Sequence, residues 1–212
     1  MNSGLRIRLH TSPEQAVRVR ALQQAFADAC NALAPIARDT GCWNRVALHH
    51  RSYRDMRGRF PALGSQMVCN AIYSVSRACR RVYQHPQSPF HVQRRRGLGL
   101  PLIRFAANAP VYFDRHTLSI ASGRASMFTL DGRMHFNLPL APADETRFRQ
   151  SRVREIALNS AAGDLFLDFA FASADDTDGL TAAESDDFAQ LPEYLVIVDE
   201  LVQQPGPATA AT

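Results

Sequence analysis

The chain of 212 residues contains no lysine, so all 24 of its basic residues are arginine. Residues 1–154 carry 24 Arg against 8 acidic residues, a balance of +16, whereas residues 155–212 carry no Arg and 12 acidic residues, a balance of −12. A GC-rich genome can account for the choice of arginine over lysine, but codon usage does not account for this separation along the chain. The separation predicts a body that binds a polyanion and a tail that is acidic.

Cysteine, long apolar runs and signal-peptide features are also scarce. The four cysteines, Cys30, Cys42, Cys69 and Cys79, form no Cys-x-x-Cys pair, which disfavours a zinc ribbon and favours reduced, buried thiols. No uncharged apolar run approaches the ~20 residues that span a bilayer, and residues 1–10 contain no apolar segment typical of a signal peptide. We therefore expect a soluble cytoplasmic protein that binds no membrane, metal or cofactor.

Hydrophobic periodicity predicts a helical region after a short N-terminal strand. Residues 5–10 alternate apolar and polar side chains, which is typical of a half-buried strand. Ser12 and Gln15 have the spacing of a capping box and predict the start of a first helix that continues to Pro35. Further helices are predicted at about residues 42–56 and 62–84. The last of these has the clearest apolar stripe, formed by Met67, Val68, Ala71, Ile72, Val75, Cys79 and Val82.

After residue 86 the pattern changes to short β-like runs separated by turns. The runs cover residues 102–106, 110–113, 117–121, 125–130, 133–138, 152–158 and 165–172. The Asp131-Gly132 pair is a strong hairpin signal between two of them. The series predicts an α+β fold in which a small antiparallel barrel or sandwich includes the N-terminal strand. The three helices would then be inserted between the first and second strands.

Three stretches of the sequence share their order and spacing with a known family. They are Arg6-Ile-Arg-Leu-His-Thr-Ser-Pro-Glu-Gln15, the segment from His49-His-Arg-Ser-Tyr53 through Phe60-Pro-Ala-Leu-Gly-Ser-Gln66 to Arg81, and the region from Val111-Tyr-Phe-Asp-Arg115 through Thr129-Leu-Asp-Gly-Arg133 to Phe171. In this order they resemble the TnpB family of transposon-encoded RNA-guided nucleases, which are related to the type V CRISPR effectors. The resemblance implies that the β-rich part is an OB-like, antiparallel wedge barrel and that the helices form a recognition lobe.

The resemblance, which covers about residues 4–172, and the composition of the remainder together predict a domain organisation. Its parts are a first wedge strand (1–10), a helical recognition lobe (11–85), the wedge β-barrel (86–172), an acidic flexible loop (173–190), a final strand that resembles a remnant of the family's RuvC nuclease domain (191–202), and a disordered tail (203–212).

The sequence departs from the family at its nuclease domain. In the family a RuvC domain follows the wedge barrel and opens with a strand that carries a catalytic Asp. Asp199 lies at the corresponding position, but Glu200 and Leu201 replace the small residue and glycine expected after it, and Glu200 is the one carboxylate side chain that follows. Two-metal cleavage needs several converging carboxylates, and no Ser/His/Asp or Cys/His arrangement is recognisable. We therefore expect no enzymatic activity from this chain and a structural role for Asp199.

Three groups of residues are predicted to bind nucleic acid. The first, on the second helix, comprises Arg51, Tyr53, Arg54, Arg57 and Arg59. The second, on the polar face of the third helix, comprises Ser65, Gln66, Asn70, Tyr73, Arg77, Arg80 and Arg81. The third comprises Arg94, Arg95 and Arg96, with Arg104, Arg124 and Arg133 as weaker candidates on the strands. Guanidinium groups pair with phosphates, rings stack on bases and amides read base edges. The alternative for each group is a surface that is solvated, or packed against another part of the protein, and binds no ligand.

The resemblance and the charge pattern together predict a nuclease-lacking, TnpB-like protein that binds guide-type RNA, target-flanking DNA or both. The second group would read a short DNA motif beside the target, while base pairing reads the sequence. The protein would act as a subunit of an RNA-guided complex, whose nuclease is a separate RuvC-containing or other effector chain, or as a non-cleaving DNA-targeting factor. It would lie in the bacterial cytoplasm, associated with the nucleoid when bound. The alternatives are a protein–protein adaptor in a transposition or CRISPR complex and a decayed transposon fragment.

Overall fold

The computed structural model describes residues 4–121, 123–172 and 191–199. The strands in this part of the chain are β1 (Gly4–Arg8), β2 (Leu102–Phe105), β3 (Val111–Phe113), β4 (Leu118–Ala121), β5 (Arg124–Thr129), β6 (Gly132–Asn137), β7 (Val153–Ala161), β8 (Asp164–Phe171) and β9 (Leu195–Val198). The helices are α1 (Pro13–Thr40), α2 (Arg45–Arg59), α3 (Gly64–Gln84) and α4 (Pro142–Gln150), and a 3₁₀ turn (Pro61–Leu63) precedes α3. The predicted acidic loop at 173–190 and the tail at 203–212 lie outside the described residues.

The described strand pairs are all antiparallel and form three sheets. The largest sheet has the order β1-β8-β7-β3, the second pairs β2 with β9, and the third has the order β4-β5-β6. Three helices lie between β1 and β2 in the chain, and the predicted α+β class is confirmed. Hydrogen bonding among the described strands does not join the three sheets into a closed barrel, so the OB-like barrel stays a prediction.

α1 begins where the sequence predicts and ends later than predicted. The capping box between Ser12 and Gln15 is present, because each side chain accepts a hydrogen bond from the backbone of the other residue. The helix does not stop at Pro35, so the predicted end was wrong. The amide of Asn31 exchanges two hydrogen bonds with the backbone of Phe105, at 2.9 and 2.8 Å. This long-range contact joins α1 to β2. The helix itself ends at Gly41, whose left-handed backbone forms the C-cap.

α3 supplies the centre of the core. Every apolar residue of its predicted stripe is buried, with an exposed fraction of at most 1 %. It packs against α1, where Leu22 and Phe26 are fully buried, and against α2 through Leu48 and Met56. α2 begins later than predicted because the side chain of Asn44 caps its first turn. No helix in the described ranges is both long enough and apolar enough to cross a membrane.

The strand region contains a helix that the sequence pattern does not predict. α4 has one large apolar residue, Phe148, so it shows no amphipathic periodicity. Phe148 packs edge-on against Phe169 and Phe171 of β8, at ring-centroid distances of 5.0 and 5.3 Å. The hairpin predicted at Asp131-Gly132, by contrast, is confirmed, because β5 and β6 pair directly across this turn.

Candidate nucleic-acid interface

α2 presents a stripe of arginines to solvent. The helix buries one face at four-residue intervals, which turns the side chains of Arg51, Arg54 and Arg57 away from the core. We call these three residues the α2 arginine stripe. Arg51 and Arg54 are exposed and Arg57 is half-buried, and no acidic side chain of the described residues forms an ion pair with any of them. Within the stripe, Nη1 of Arg57 makes a long hydrogen bond of 3.5 Å to the carbonyl of Pro61.

The other two predicted residues of α2 have partners within the helix. Arg59 lies 3.6 Å from the carboxylate of Asp55. Both side chains of this pair are more than half exposed, so the pair contributes little to stability and leaves Arg59 accessible. The ring of Tyr53 stacks on His49 at a centroid distance of 4.7 Å. One face of the Tyr53 ring is therefore already covered.

The polar face of α3 is turned mainly toward the largest sheet. Nη1 of Arg77 lies 3.0 and 2.8 Å from the two carboxylate oxygens of Glu155 on β7. The hydroxyl of Tyr73 donates to the same carboxylate at 2.7 Å, and the amide of Asn70 donates to the carbonyl of Tyr112 on β3 at 2.9 Å. We call Asn70, Tyr73, Arg77 and Glu155 the α3–sheet junction. Its three predicted DNA-reading side chains join α3 to β3 and β7, so the interface proposed below excludes them.

Burial and the shared carboxylate shift the pKa values in this junction. Burial, with a further contribution from the charge of Glu155, raises the pKa of Tyr73 to about 12. Burial by itself lowers the pKa of Arg77, but Tyr112 and Glu155 outweigh it and raise that pKa above its ordinary value. The junction therefore holds a protonated hydroxyl and a permanent cation around one carboxylate, and its charges balance internally.

The remaining predicted residues of α3 lie toward its two ends. Ser65 is exposed in the first turn, and Gln66 is half-buried with a long 3.4 Å contact to the side chain of Asn70. Arg80 and Arg81 are half-buried in the second half of the helix. Gln66 therefore contacts the edge of the junction through Asn70.

A groove of about 1030 Å³ opens between the α1–α2 connection, the start of α2 and α3. Trp43, Arg45 and His49 line it beside Gln66 and Arg80. Trp43, Arg45 and His49 are not among the residues predicted to bind nucleic acid. The helix cap that precedes α2 is the signal that places Arg45 in the first turn, where it meets α3.

The three adjacent arginines between α3 and β2 differ in their contacts. Arg95 forms an ion pair with Asp199 at 2.8 Å, and the two side chains are only 13 % and 16 % exposed. Nη1 of Arg94 donates to the carbonyl of Ser88 at 2.8 Å, whereas Arg96 is exposed. The ion pair fastens the end of β9 to the connection before β2, which gives Asp199 a structural role.

The arginines on the strands are spread over two sheets. Arg104 is exposed on β2, and Arg124 is exposed at the start of β5. Arg133 on β6 donates to the carbonyls of His116 and Ser126, at 3.1 and 2.9 Å. Arg133 thus braces its own sheet, while Arg104 and Arg124 face solvent.

The exposed arginines of the chain are suited to binding anionic groups. The stripe, Arg59 and Arg96 present guanidinium groups, which make planar, bidentate contacts with phosphate. The described residues contain no group of three or more His, Cys, Asp or Glu side chains arranged to hold a metal ion.

Comparison with known proteins found no protein-family model that matches the chain and no matching curated protein.

Proposed function

We propose that the chain binds nucleic acid through its helical region, as a nuclease-lacking component of a TnpB-like, RNA-guided system. The observation that carries the proposal is the α2 arginine stripe, whose guanidinium groups have no acidic partner among the described residues. Its partners would be a guide-type RNA, target DNA and a separate effector subunit that supplies cleavage. Phosphate contacts from the stripe would position the protein, and base pairing would supply sequence specificity.

Some other exposed arginines of the chain are paired within the fold, unlike those of the stripe. Arg6, Arg8 and Arg18 are also solvent-accessible, yet each pairs with an aspartate at 2.6 to 2.8 Å. α2 contains five arginines and one acidic residue, Asp55. Like charges three or four positions apart on a helix repel each other. A bound polyanion removes this repulsion, which supports the assignment of α2 to the interface.

The spacing of the stripe suits one strand of nucleic acid. Arg51, Arg54 and Arg57 recur at every third residue, so they span ~9 Å along the helix axis. Each strand of a duplex places a phosphate about every 3.4 Å along its axis. Successive arginines are about 4.5 Å apart along the helix axis, so these long side chains can reach about three successive phosphates of one strand.

Reversing the charge of the stripe tests the proposal. In the triple variant Arg51→Glu, Arg54→Glu, Arg57→Glu, we expect affinity for structured RNA or duplex DNA to fall at least about 100-fold at low salt, because three phosphate contacts become repulsive. The slope of log K against log salt should become shallower by about two to three, since each phosphate contact contributes about 0.7 to 0.9. Fluorescence anisotropy of a labelled nucleic acid measures both quantities.

A matched control reverses three exposed arginines outside α2. Arg115, Arg149 and Arg152 are exposed, and their reversal to Glu makes the same change in net charge. This control should lose less than about tenfold in affinity, because it alters only the long-range field. Equal losses in the two triple variants would remove α2 from the interface. A wild-type chain that ignores nucleic acid but binds an acidic protein would favour the adaptor instead.

A further inference from the structure

The charged residues that line the groove between α2 and α3 are positive. Its cations are Arg45 in the first turn of α2 and Arg80 on α3, and none of the described Asp or Glu residues lines it. The N-terminal end of α2 also opens into this groove, which adds the positive end of the helix dipole. An anionic group is therefore the favoured occupant.

The two cations of the groove have free bonding capacity. Arg45 is exposed and forms no ion pair in the described part of the chain, and its guanidinium lies over the ring of Tyr73 at 5.3 Å. Nε of Arg80 is buried and has no hydrogen-bond acceptor among the residues that the structure describes. A buried donor that lacks an acceptor is unfavourable, and an anion in the groove would supply acceptors for the Arg80 guanidinium.

The rest of the lining suits a nucleobase. Trp43 is half-buried: its indole packs on Tyr83 at 5.4 Å, and it also lines the groove. The ring of Tyr73 also lines the groove, but it is covered by Arg45 and held by Glu155. The amides of Gln66 and Gln84 add groups that can both donate and accept hydrogen bonds. Cations, rings and amides in one groove match the phosphate, the face and the edge of a nucleotide.

We propose that this groove holds one unpaired nucleotide of the bound strand, with its phosphate on Arg45 and Arg80 and its base against Trp43. This inference rests on the proposed function. Arg45 lies six residues before Arg51 on the same helix, about 9 Å along its axis, so a bound strand of a few nucleotides can contact both the stripe and the groove. The volume of about 1030 Å³ exceeds what one nucleotide needs and leaves room for its neighbours. A paired base cannot enter, because both of its faces are stacked in the duplex.

The fluorescence of Trp43 provides a direct test, because it is the one tryptophan of the chain. The full chain is titrated at low salt with oligo(U) or oligo(dT) of about 15 nucleotides, and separately with a blunt, fully paired duplex. Anisotropy of the labelled nucleic acid reports binding independently. The responses to oligo(U), the RNA, and to oligo(dT), the DNA, are evaluated separately. At least one single strand should change the Trp43 emission, and the duplex should bind without changing it.

Two substitutions and a control complete the experiment. Arg45→Gln and Arg80→Gln should each weaken single-strand binding by about tenfold and leave duplex binding within about twofold, since each removes one contact to a single nucleotide. Arg149→Gln, on α4, removes an exposed arginine outside the groove and should change neither. Arg45 is exposed, so its variant should fold as the wild type does.

The outcomes separate the groove from the proposed function. If single strands bind by anisotropy but leave Trp43 emission unchanged, or if Arg45→Gln retains full single-strand affinity, the groove is not the nucleotide site and the function of the stripe stands. If neither single strands nor duplex bind at low salt, the proposed function itself fails. A Trp43 response to single strands that Arg45→Gln and Arg80→Gln abolish and Arg149→Gln retains would establish the groove as the site.

Discussion

The α2 arginine stripe and the α3–sheet junction use similar side chains in opposite ways. Both regions combine arginine with aromatic or amide neighbours, and the sequence predicts nucleic-acid binding for both. In the junction Arg77 is neutralised by Glu155 at 2.8 Å, whereas Arg51 and Arg54 have no acidic partner among the described residues. The difference teaches that the partner supplied by the fold, rather than the residue type, decides whether an arginine joins two elements or remains open to a ligand.

Removing Glu155 is the strongest way to break this comparison. Glu155→Ala takes the acceptor away from Arg77 and Tyr73 together, so we expect the free energy of unfolding to fall by about 2–3 kcal/mol. Arg54→Ala should change it by less than about 0.5 kcal/mol, because solvent already surrounds that side chain. Urea denaturation of the two variants measures the contrast. Similar small effects from both would show that the junction does not hold α3 against the sheet.

The adjacent residues Arg95 and Arg96 allow the same comparison between a paired and an exposed arginine. Arg95→Ala leaves the largely buried carboxylate of Asp199 without this partner, so we expect a loss of about 1–2 kcal/mol in stability. Arg96→Ala should cost less than about 0.5 kcal/mol, because the side chain is exposed. Arg96→Ala should instead be the variant that weakens nucleic-acid binding without changing the urea midpoint. Equal stability of the two variants would mean that the ion pair with Asp199 does not fasten β9.

Local patterns were sufficient to predict much of the fold. The apolar stripe of α3, the capping box at Ser12 and the hairpin at Asp131-Gly132 depend on residues a few positions apart, and the structure contains all three. The predicted end of α1 was wrong because Pro35 was taken as a stop, whereas the helix continues past it to a glycine C-cap at Gly41. α4 was missed because its one large apolar residue produces no periodic signal.

The candidate site was harder to predict because it depends on distant partners. Glu155 lies 78 positions from Arg77, and no spacing rule connects two such residues. The polar face of α3 therefore looked available when it is largely engaged with the sheet. The stripe of α2 was easier, because a lack of acidic residues within a single helix is visible in the sequence. The groove arises where the α1–α2 connection meets α3, so its lining residues became recognisable only in three dimensions.

The most direct test of the central claim is the affinity of the wild-type chain for a labelled structured RNA, measured by anisotropy across a series of salt concentrations. Three contacts from the α2 arginine stripe predict tight binding at low salt and a linear fall of log K with log salt, with a slope of about −2 to −3 or steeper. A chain that is purified free of nucleic acid and shows no binding at low salt, or whose affinity does not change with salt, would contradict the account.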